Sequence, residues 1–476
     1  MVDQLGMGHR ITLAQKHVYD FALDALADVF DGATICVGGF GPVRNRPVTL
    51  LKALAQRPGI KNLTVVANGF PDQALAEQRQ VGKFIGAFGG SVYRRANASE
   101  EQIRTDEMAF EPSPQGILTE RLRAGAAGIP AFFSPVGVGT LVAEGKERRI
   151  IDGREYILET AIRPDFGFVR AQKADEAGNL TGVGSTLNFH PTMAAASRIT
   201  VAEVDEVVPV GGIAPEDVRI PGIYVHRLVL HDASLDSEAE QAERQRQARR
   251  ERSEERVGLS QDLMALRVAQ MLRPGQYVNL GMGLPVKVGS FVTPESGVLL
   301  HAENGLLGYG PEPSEEESRW YYYNAQGQRV TALPGAAIFD SFQAFTMARG
   351  GHLDVVVLGG LQVSARGDLA NWWAPYMAAG GIGGAMDLCA NVKELILLME
   401  HTTREGEAKI LEECTYPLTA VRCVTKIVTD LAYIEVTESG LLLKEVAPGI
   451  TPQFVQERTQ ARLTVAPDWR EMDFGT

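Results

Sequence analysis

The chain has 476 residues, a formal net charge of −13, 45% apolar and 22% charged residues, the profile of a globular protein able to bury a large core. The acidic balance argues against nucleic acid as a partner, because affinity for phosphate backbones comes mainly from Lys and Arg. Apolar stretches such as "VVVLGGLQV" and "LILLM" fall well short of the ~18 residues of a membrane span, so no membrane association is expected.

The opening "MVDQLGMGHRITLAQKH" has neither an apolar signal-peptide core nor the Arg- and Ser-rich character of a presequence. Four cysteines, Cys36, Cys389, Cys414 and Cys423, form no CxxC pair and no zinc-like spacing, and eight histidines are scattered. Free thiols in a reducing compartment, a cytoplasmic location and no metal are expected. "FALDALADVFDG" then predicts an amphipathic helix over 21–32, and "ATICVGGFG" an apolar strand that runs into Gly38, Gly39 and Gly41. "NLTVVANGF" reads as a strand ending at Asn68 and Gly69, and "ILTERLRAG" as a helix opened by Gln115. "DSEAEQAERQRQARRERSEER", from Asp236 to Arg256, is almost without apolar residues and reads as a solvated helix or flexible connection.

Beyond it the same signals return in the same order. "LMALRVAQMLRPG" and "QYVNLGMG" repeat the helix and the strand that ends in glycines, here Gly281 and Gly283, and "GVLLHAENG" repeats "NLTVVANGF". "RGDLANWWA" then echoes "AGNLTGVGS", and "YPLTAVRCVTKIV" echoes "IPGIYVHRLV". A duplicated domain is the economical account. Length alone, at roughly 150 residues per domain, suggests about three, but the repeat favours two: 1–235, a charged linker 236–259, and 260–476. Each half alternates short apolar runs with helical patterns, so the fold class is α/β, mainly parallel sheets covered by helices. Glycines at strand ends suit a ligand crevice at the carboxyl edge of such a sheet. None of them reads G-x-G-x-x-G, so a nicotinamide site is not supported.

One residue breaks the echo. Glu303 in "HAENGLLGYGPEP" stands where the first half has Ala67, so the fold itself does not call for a carboxylate there. Read locally, Glu303 is either a solvated residue on an Asn-Gly hairpin turn or a catalytic group.

The stretch "AENGLLGYGPEP" resembles the glutamate motif of the family I coenzyme A transferases, above all those acting on 3-ketoacids. The likeness includes "VGGFG", "PQGILTERLRAGAAGIPAFF", "ILETAIRPDFGFVRAQKADEAGNL", "APEDVRIPGIYVHRLV", "VNLGMGLP", "GGHLDVVVLGGLQVSARGDLANW" and "GGAMDL". Several long motifs in one order are far more specific than a single short pattern. The resemblance implies two related open α/β domains of the fold shared by CoA transferases and some sugar-phosphate isomerases, a site between them, and a homodimer. Its substrates would be an acyl-CoA and a free carboxylic acid of the 3-ketoacid or succinate type, with coenzyme A as a substrate and no permanently bound cofactor.

In the chemistry this implies, Glu303 attacks the acyl-CoA carbonyl and then carries CoA as a glutamyl thioester, giving ping-pong kinetics. The oxyanion donors map onto the side-chain amide of Gln115 and the backbone N–H of Gly384. Read alone, Gln115 is equally a polar helix opener and Gly384 part of a flexible glycine loop. CoA is assigned to Gly281, Gly283, Gly383 and Gly384, and the acid to Gly39, Phe40, Asn68 and Arg44.

Three departures bear on specificity. After "GGFG" the chain reads Pro42, Val43, Arg44, Asn45, Arg46, Pro47, so Arg44 or Arg46 can pair with the distal carboxylate of a dicarboxylic acid, or simply lie in solvent. Ala302 replaces a serine before the glutamate, and His190 in "NFHPTM" either reshapes the pocket or packs as a neutral imidazole. Two rivals to the transferase are a thioester hydrolase and a non-catalytic ligand sensor on the same fold.

Overall fold

The computed structural model describes residues 15–90, 96–235 and 258–475; the expected linker lies outside the described residues as far as 257. Before it the strands are β1 (His17–Tyr19), β2 (Thr34–Val37), β3 (Leu63–Gly69), β4 (Val81–Phe88), β5 (Ala109–Pro112), β6 (Ala131–Ser134), β7 (Arg148–Ile151), β8 (Arg154–Thr160), β9 (Phe166–Asp175), β10 (Ile199–Val208) and β11 (Arg227–Leu230). An eight-stranded sheet runs β1-β11-β10-β9-β2-β3-β4-β5 with every pairing parallel. The strands β6, β7 and β8 form a small antiparallel sheet beside it. Continuous apolar runs such as Ile35–Val37 are buried on both faces, as central parallel strands require.

The second half supplies β12 (Tyr277–Leu280), β13 (Leu299–Ala302), β14 (Leu306–Tyr309), β15 (Ala332–Ile338), β16 (Val355–Leu358), β17 (Gln362–Ser364), β18 (Leu369–Ala370), β19 (Glu394–Leu398), β20 (Ile410–Leu411), β21 (Lys426–Val428), β22 (Ala432–Thr437), β23 (Gly440–Val446) and β24 (Leu463–Glu471). Its main sheet runs β15-β14-β13-β12-β16-β19-β21-β22-β23-β24. The centre, β13 to β21, is parallel. Both edges turn antiparallel, through β14 and β15 on one side and β22 and β23 on the other.

The two sheets share a topology that the sequence echo anticipates. From β2 the chain steps outward to β3 and then returns to pair β9 on the other side of β2; from β12 it steps to β13 and returns as β16. Such a reversal opens a crevice at the carboxyl ends of the central strands. Gly38–Gly41 and Gly281–Gly283 follow those ends, and Asn68 and Glu303 lie at the ends of β3 and β13.

The helix expected over 21–32 is shorter, Ala22–Ala25. Asp28 pairs with Arg227, and Asp31 accepts from Lys61 N and Asn62 Nδ2, so these carboxylates tie the segment to the sheet instead of supporting further helical turns. Its counterpart Gln261–Ala269 is a regular helix, capped by Ser260 Oγ from Leu263 N at 3.3 Å and buried through Met264, Ala265 and Val268.

The sheets meet along a seam. Ala87, Ile117, Val136 and Val142 of the first half pack with Trp372, Ile382 and Met386 of the second. Tyr323, wholly buried, donates from its hydroxyl to Ser185 O at 3.0 Å and accepts from Asn45 Nδ2 at 2.9 Å. Tyr323→Phe leaves both partners unpaired inside the seam, and a loss of about 1–3 kcal/mol is expected in denaturant unfolding.

Candidate active site

Glu303, Asn304 and Gly305 join β13 to β14. Ala302 pairs with Leu306, and Gly305 N donates to Ala302 O at 3.0 Å. Gly305 takes φ 107°, and a Cβ there would lie 1.9 Å from Phe339 O, so this three-residue hairpin needs glycine. The turn reading of "ENG" is correct, but its carboxylate is not solvated: Glu303 is 6% exposed. Burial pushes its carboxyl up to about 7, against the opposing pull of its own backbone N–H and the Asn279 amide.

The polar groups around this turn are incompletely used. Among the described residues, Glu303 Oε2, Asn279 Oδ1 and Asn304 Oδ1 are buried acceptors with no donor. Asn279 Nδ2 lies 3.1 Å from His301 Nδ1 and 3.2 Å from His301 O, and Asn304 Nδ2 donates to Tyr323 O at 2.8 Å. Burial holds the His301 imidazole down at about 4, hence neutral. Such unpaired acceptors are costly unless a ligand donates to them.

Across the seam, Gln115 opens the helix Gln115–Ala126 and is 3% exposed. Its Nε2 donates to Asn68 Oδ1 at 2.7 Å, and its backbone N donates to Gly383 O at 2.9 Å. A Cβ on Gly384 would stand 2.9 Å from Gln115 Oε1 and 2.7 Å from the Phe345 ring, so this approach needs a glycine. Gly384 N–H donates to no acceptor among the described residues, whereas Gly383 N–H is bonded to Ala87 O at 3.1 Å. The structure therefore brings Asn68, Gln115, Gly383 and Gly384 together.

The other expected residues are placed differently. Gly281 N–H donates to Val357 O at 2.8 Å and Gly283 N–H to Gln326 Oε1 at 2.7 Å, so what these two offer a ligand is close approach, not a donor. Phe40 is buried against Phe189, with ring centroids 6.0 Å apart, and is part of the core. Gly39 takes φ 131°, and a Cβ there would meet Arg46 Cγ at 2.8 Å. Arg44 sits in a single turn, Val43–Asn45, with its guanidinium 5.2 Å from the centre of the Trp320 ring of the other half. His190 is a packed imidazole: its Nδ1 accepts from Arg170 N at 3.2 Å, its Nε2–H donates to Asn45 O at 3.1 Å, and burial drives it down to about 3.

Sequence reasoning missed Asn279, Tyr323 and Asp387. Asn279 carried a signal, being the polar residue of "QYVNLG" where "ATICVG" has Cys36. Asp387 lay inside the quoted "GGAMDL" but points to no chemistry until its partners are known. Tyr323 gave none, because the partners of its hydroxyl are more than a hundred residues away.

Known proteins resemble this chain along most of its length. The family model for coenzyme A transferase matches residues 20–231 and 262–458. The human mitochondrial succinyl-CoA:3-ketoacid coenzyme A transferase 2 is 38% identical over 479 residues, covering 95% of this chain and 91% of that protein. The beta chain of the acetate CoA-transferase of Escherichia coli K12 is 45% identical over 205 residues, covering 43% of this chain and 94% of that one. In fold, the chain resembles the acyl-CoA transferase YdiF of Escherichia coli O157:H7, with a TM-score of 0.78 and 22% identity over 97% of this chain and 96% of that one.

These relatives correct the cytoplasmic expectation. The human protein and two mouse relatives of 38% identity are named as mitochondrial, not cytoplasmic. Free thiols do not separate the two locations, since both compartments are reducing. Coenzyme A is a substrate of the reaction, and the chain belongs to the coenzyme A transferase family, enzymes that move coenzyme A between an acyl-CoA and a carboxylic acid.

Proposed function

We propose that Glu303 is the nucleophile of a ping-pong transfer. Its carboxylate attacks the acyl-CoA carbonyl, giving a mixed anhydride and CoA thiolate; the thiolate then attacks the glutamyl carbonyl, leaving a glutamyl-CoA thioester and releasing the first acid. A second carboxylate runs the same steps in reverse. The observation that carries the reading is a carboxylate 6% exposed, with one oxygen unpartnered, at a turn that has alanine in the other half. A desolvated carboxylate of raised pKa is the stronger nucleophile once ionised, and a dry site keeps water from the anhydride.

Gln115 Nε2 and Gly384 N–H are the oxyanion donors in this reading. It is supported by the closeness of the Gln115 side chain to Gly384, where an added Cβ would stand 2.9 Å from Gln115 Oε1, and by the open N–H of Gly384; loss of such a donor typically costs ~2.7 to 4 kcal/mol in the barrier. Gly281, Gly283 and Gly383 let CoA approach the backbone, while Asn68, Gly39, Phe40 and Arg44 border or support the acid pocket. The chain functions as two domains, 1–235 and 260–476, joined by the 236–259 linker, and as a homodimer. The acids are of the 3-ketoacid and succinate type, with Arg44, held by Trp320, facing the distal carboxylate of a dicarboxylic acid.

Glu303→Gln is expected to abolish transfer. Borohydride reduction of the native enzyme with acyl-CoA should mark Glu303 in mass spectrometry; an unmarked Glu303, with transfer retained in the variant, ends the proposal. In the native enzyme kcat/KM should fall tenfold per pH unit below pH 7, as the nucleophile takes up a proton. Stability moves the opposite way. Because burial raises the folded pKa from 4.5 to about 7, ionised Glu303 destabilises the fold by on the order of 3 kcal/mol at pH 8. The cost fades as pH falls through 7 and is gone below 4.5. Glu303→Gln should therefore melt higher than the native protein at pH 8 and converge with it near pH 5. Arg44→Gln should raise KM for succinate about tenfold while changing that for a monocarboxylic acceptor less than twofold; equal effects on both remove Arg44 from the acid pocket.

A further inference from the structure

Gln115 and Gly384 lie on opposite sides of the seam, so something must fix them relative to each other. The helix Gln115–Ala126 begins after Pro114, which gives no side-chain cap, and its first N–H groups need acceptors from elsewhere. The acceptor comes from the other half. Asp387 Oδ2 accepts from Gly116 N at 2.9 Å, and Asp387 belongs to the helix Ala385–Cys389, whose N-cap is Gly384. Its other oxygen, Oδ1, takes Arg349 Nη1 at 3.2 Å, and Arg349 Nη2 continues to Glu120 Oε2 at 3.0 Å, on the helix that Gln115 opens.

We propose that Asp387 is a positioning residue for CoA transfer: capping the Gln115 helix from across the seam, it holds the Gln115 amide and the Gly384 N–H in one register. The inference rests on the reading of Gln115 and Gly384 as oxyanion donors. Three observations carry it. Asp387 is wholly buried, and its carboxylate bonds the residue next to Gln115 while sitting three residues after Gly384. Gly116 has no room for a side chain, since a Cβ there would lie 2.3 Å from Asp387 Oδ1 and 2.4 Å from Arg349 Nη1. Gln115 N is tied separately to Gly383 O, so the two donors are linked by backbone on one side and by the carboxylate on the other.

Stability gives a poor reason for this arrangement. Burial pushes the Asp387 carboxyl up to about 6 even with Arg349 beside it, and a buried ion pair commonly contributes less than apolar packing of the same volume. Geometry gives a better one, because a misplacement of about 1 Å in a catalytic constellation costs up to 100-fold in rate.

The test compares Asp387→Asn, Gln115→Ala and the double variant in the full chain, with kcat and KM for acyl-CoA measured beside melting temperature. Asp387→Asn is expected to lower kcat 10- to 100-fold with KM within threefold of native, and to cost less than a further threefold once Gln115 is already alanine. A slow Gln115→Ala enzyme beside an Asp387→Asn enzyme of native kcat overturns the positioning role alone, as does an undiminished effect in the double variant. Native kcat in Gln115→Ala instead removes the donor reading beneath it. If Asp387→Asn does not fold, Arg349→Lys takes its place in the same comparison: lysine keeps the charge but lacks the planar fork that serves Asp387 and Glu120 together. A fall in kcat of at least threefold supports the proposal, and a native value overturns it.

Discussion

Desolvation of one carboxylate is the constraint around which the molecule is arranged. Glu303 is withdrawn from water on a hairpin that only a glycine can close, beside Asn279 and Tyr309 of its own half. Withdrawal raises the energy of its charged form, which is unfavourable for folding and, in the proposed transfer, favourable for attack on a carbonyl. The hydrophobic seam cluster around Trp372 and Ile382 and the buried Tyr323 bonds supply the opposing free energy.

Duplication explains why the constraint can be met with ordinary parts. Both halves carry the same reversal of strand order, and each places a turn at the end of the strand beside its central one. In the first half the end of that strand carries Asn68, which accepts from Gln115; in the second the turn after it carries Glu303. Two equivalent positions have taken on unequal roles. The antiparallel β14 and β15, where the first half continues with the parallel β4 and β5, give the second half its tight hairpin.

Much of this was legible in the residues. The ordered echoes point to two α/β units, and the contrast of Glu303 with Ala67 singles out the carboxylate. Burial was not legible, because "ENG" encodes a turn whether it faces water or a neighbouring sheet, and only the partner surface decides. The same limit applies to Arg44 and His190, whose settings depend on Trp320 and on Asn45 O. The helix expected over 21–32 fell short because Asp28 has a partner on β11 and Asp31 has partners just before β3, which periodicity cannot reveal. The cytoplasmic expectation came from the opening residues and the free thiols, and the mitochondrial names of the relatives overturn it.

The cap that Asp387 lends to the Gln115 helix crosses from one half to the other. A polypeptide emerging from the ribosome reaches residue 126 long before residue 387 exists, so for most of synthesis this helix has an unfinished end. On the proposed role of Asp387, the two donors come into register only once the halves have docked.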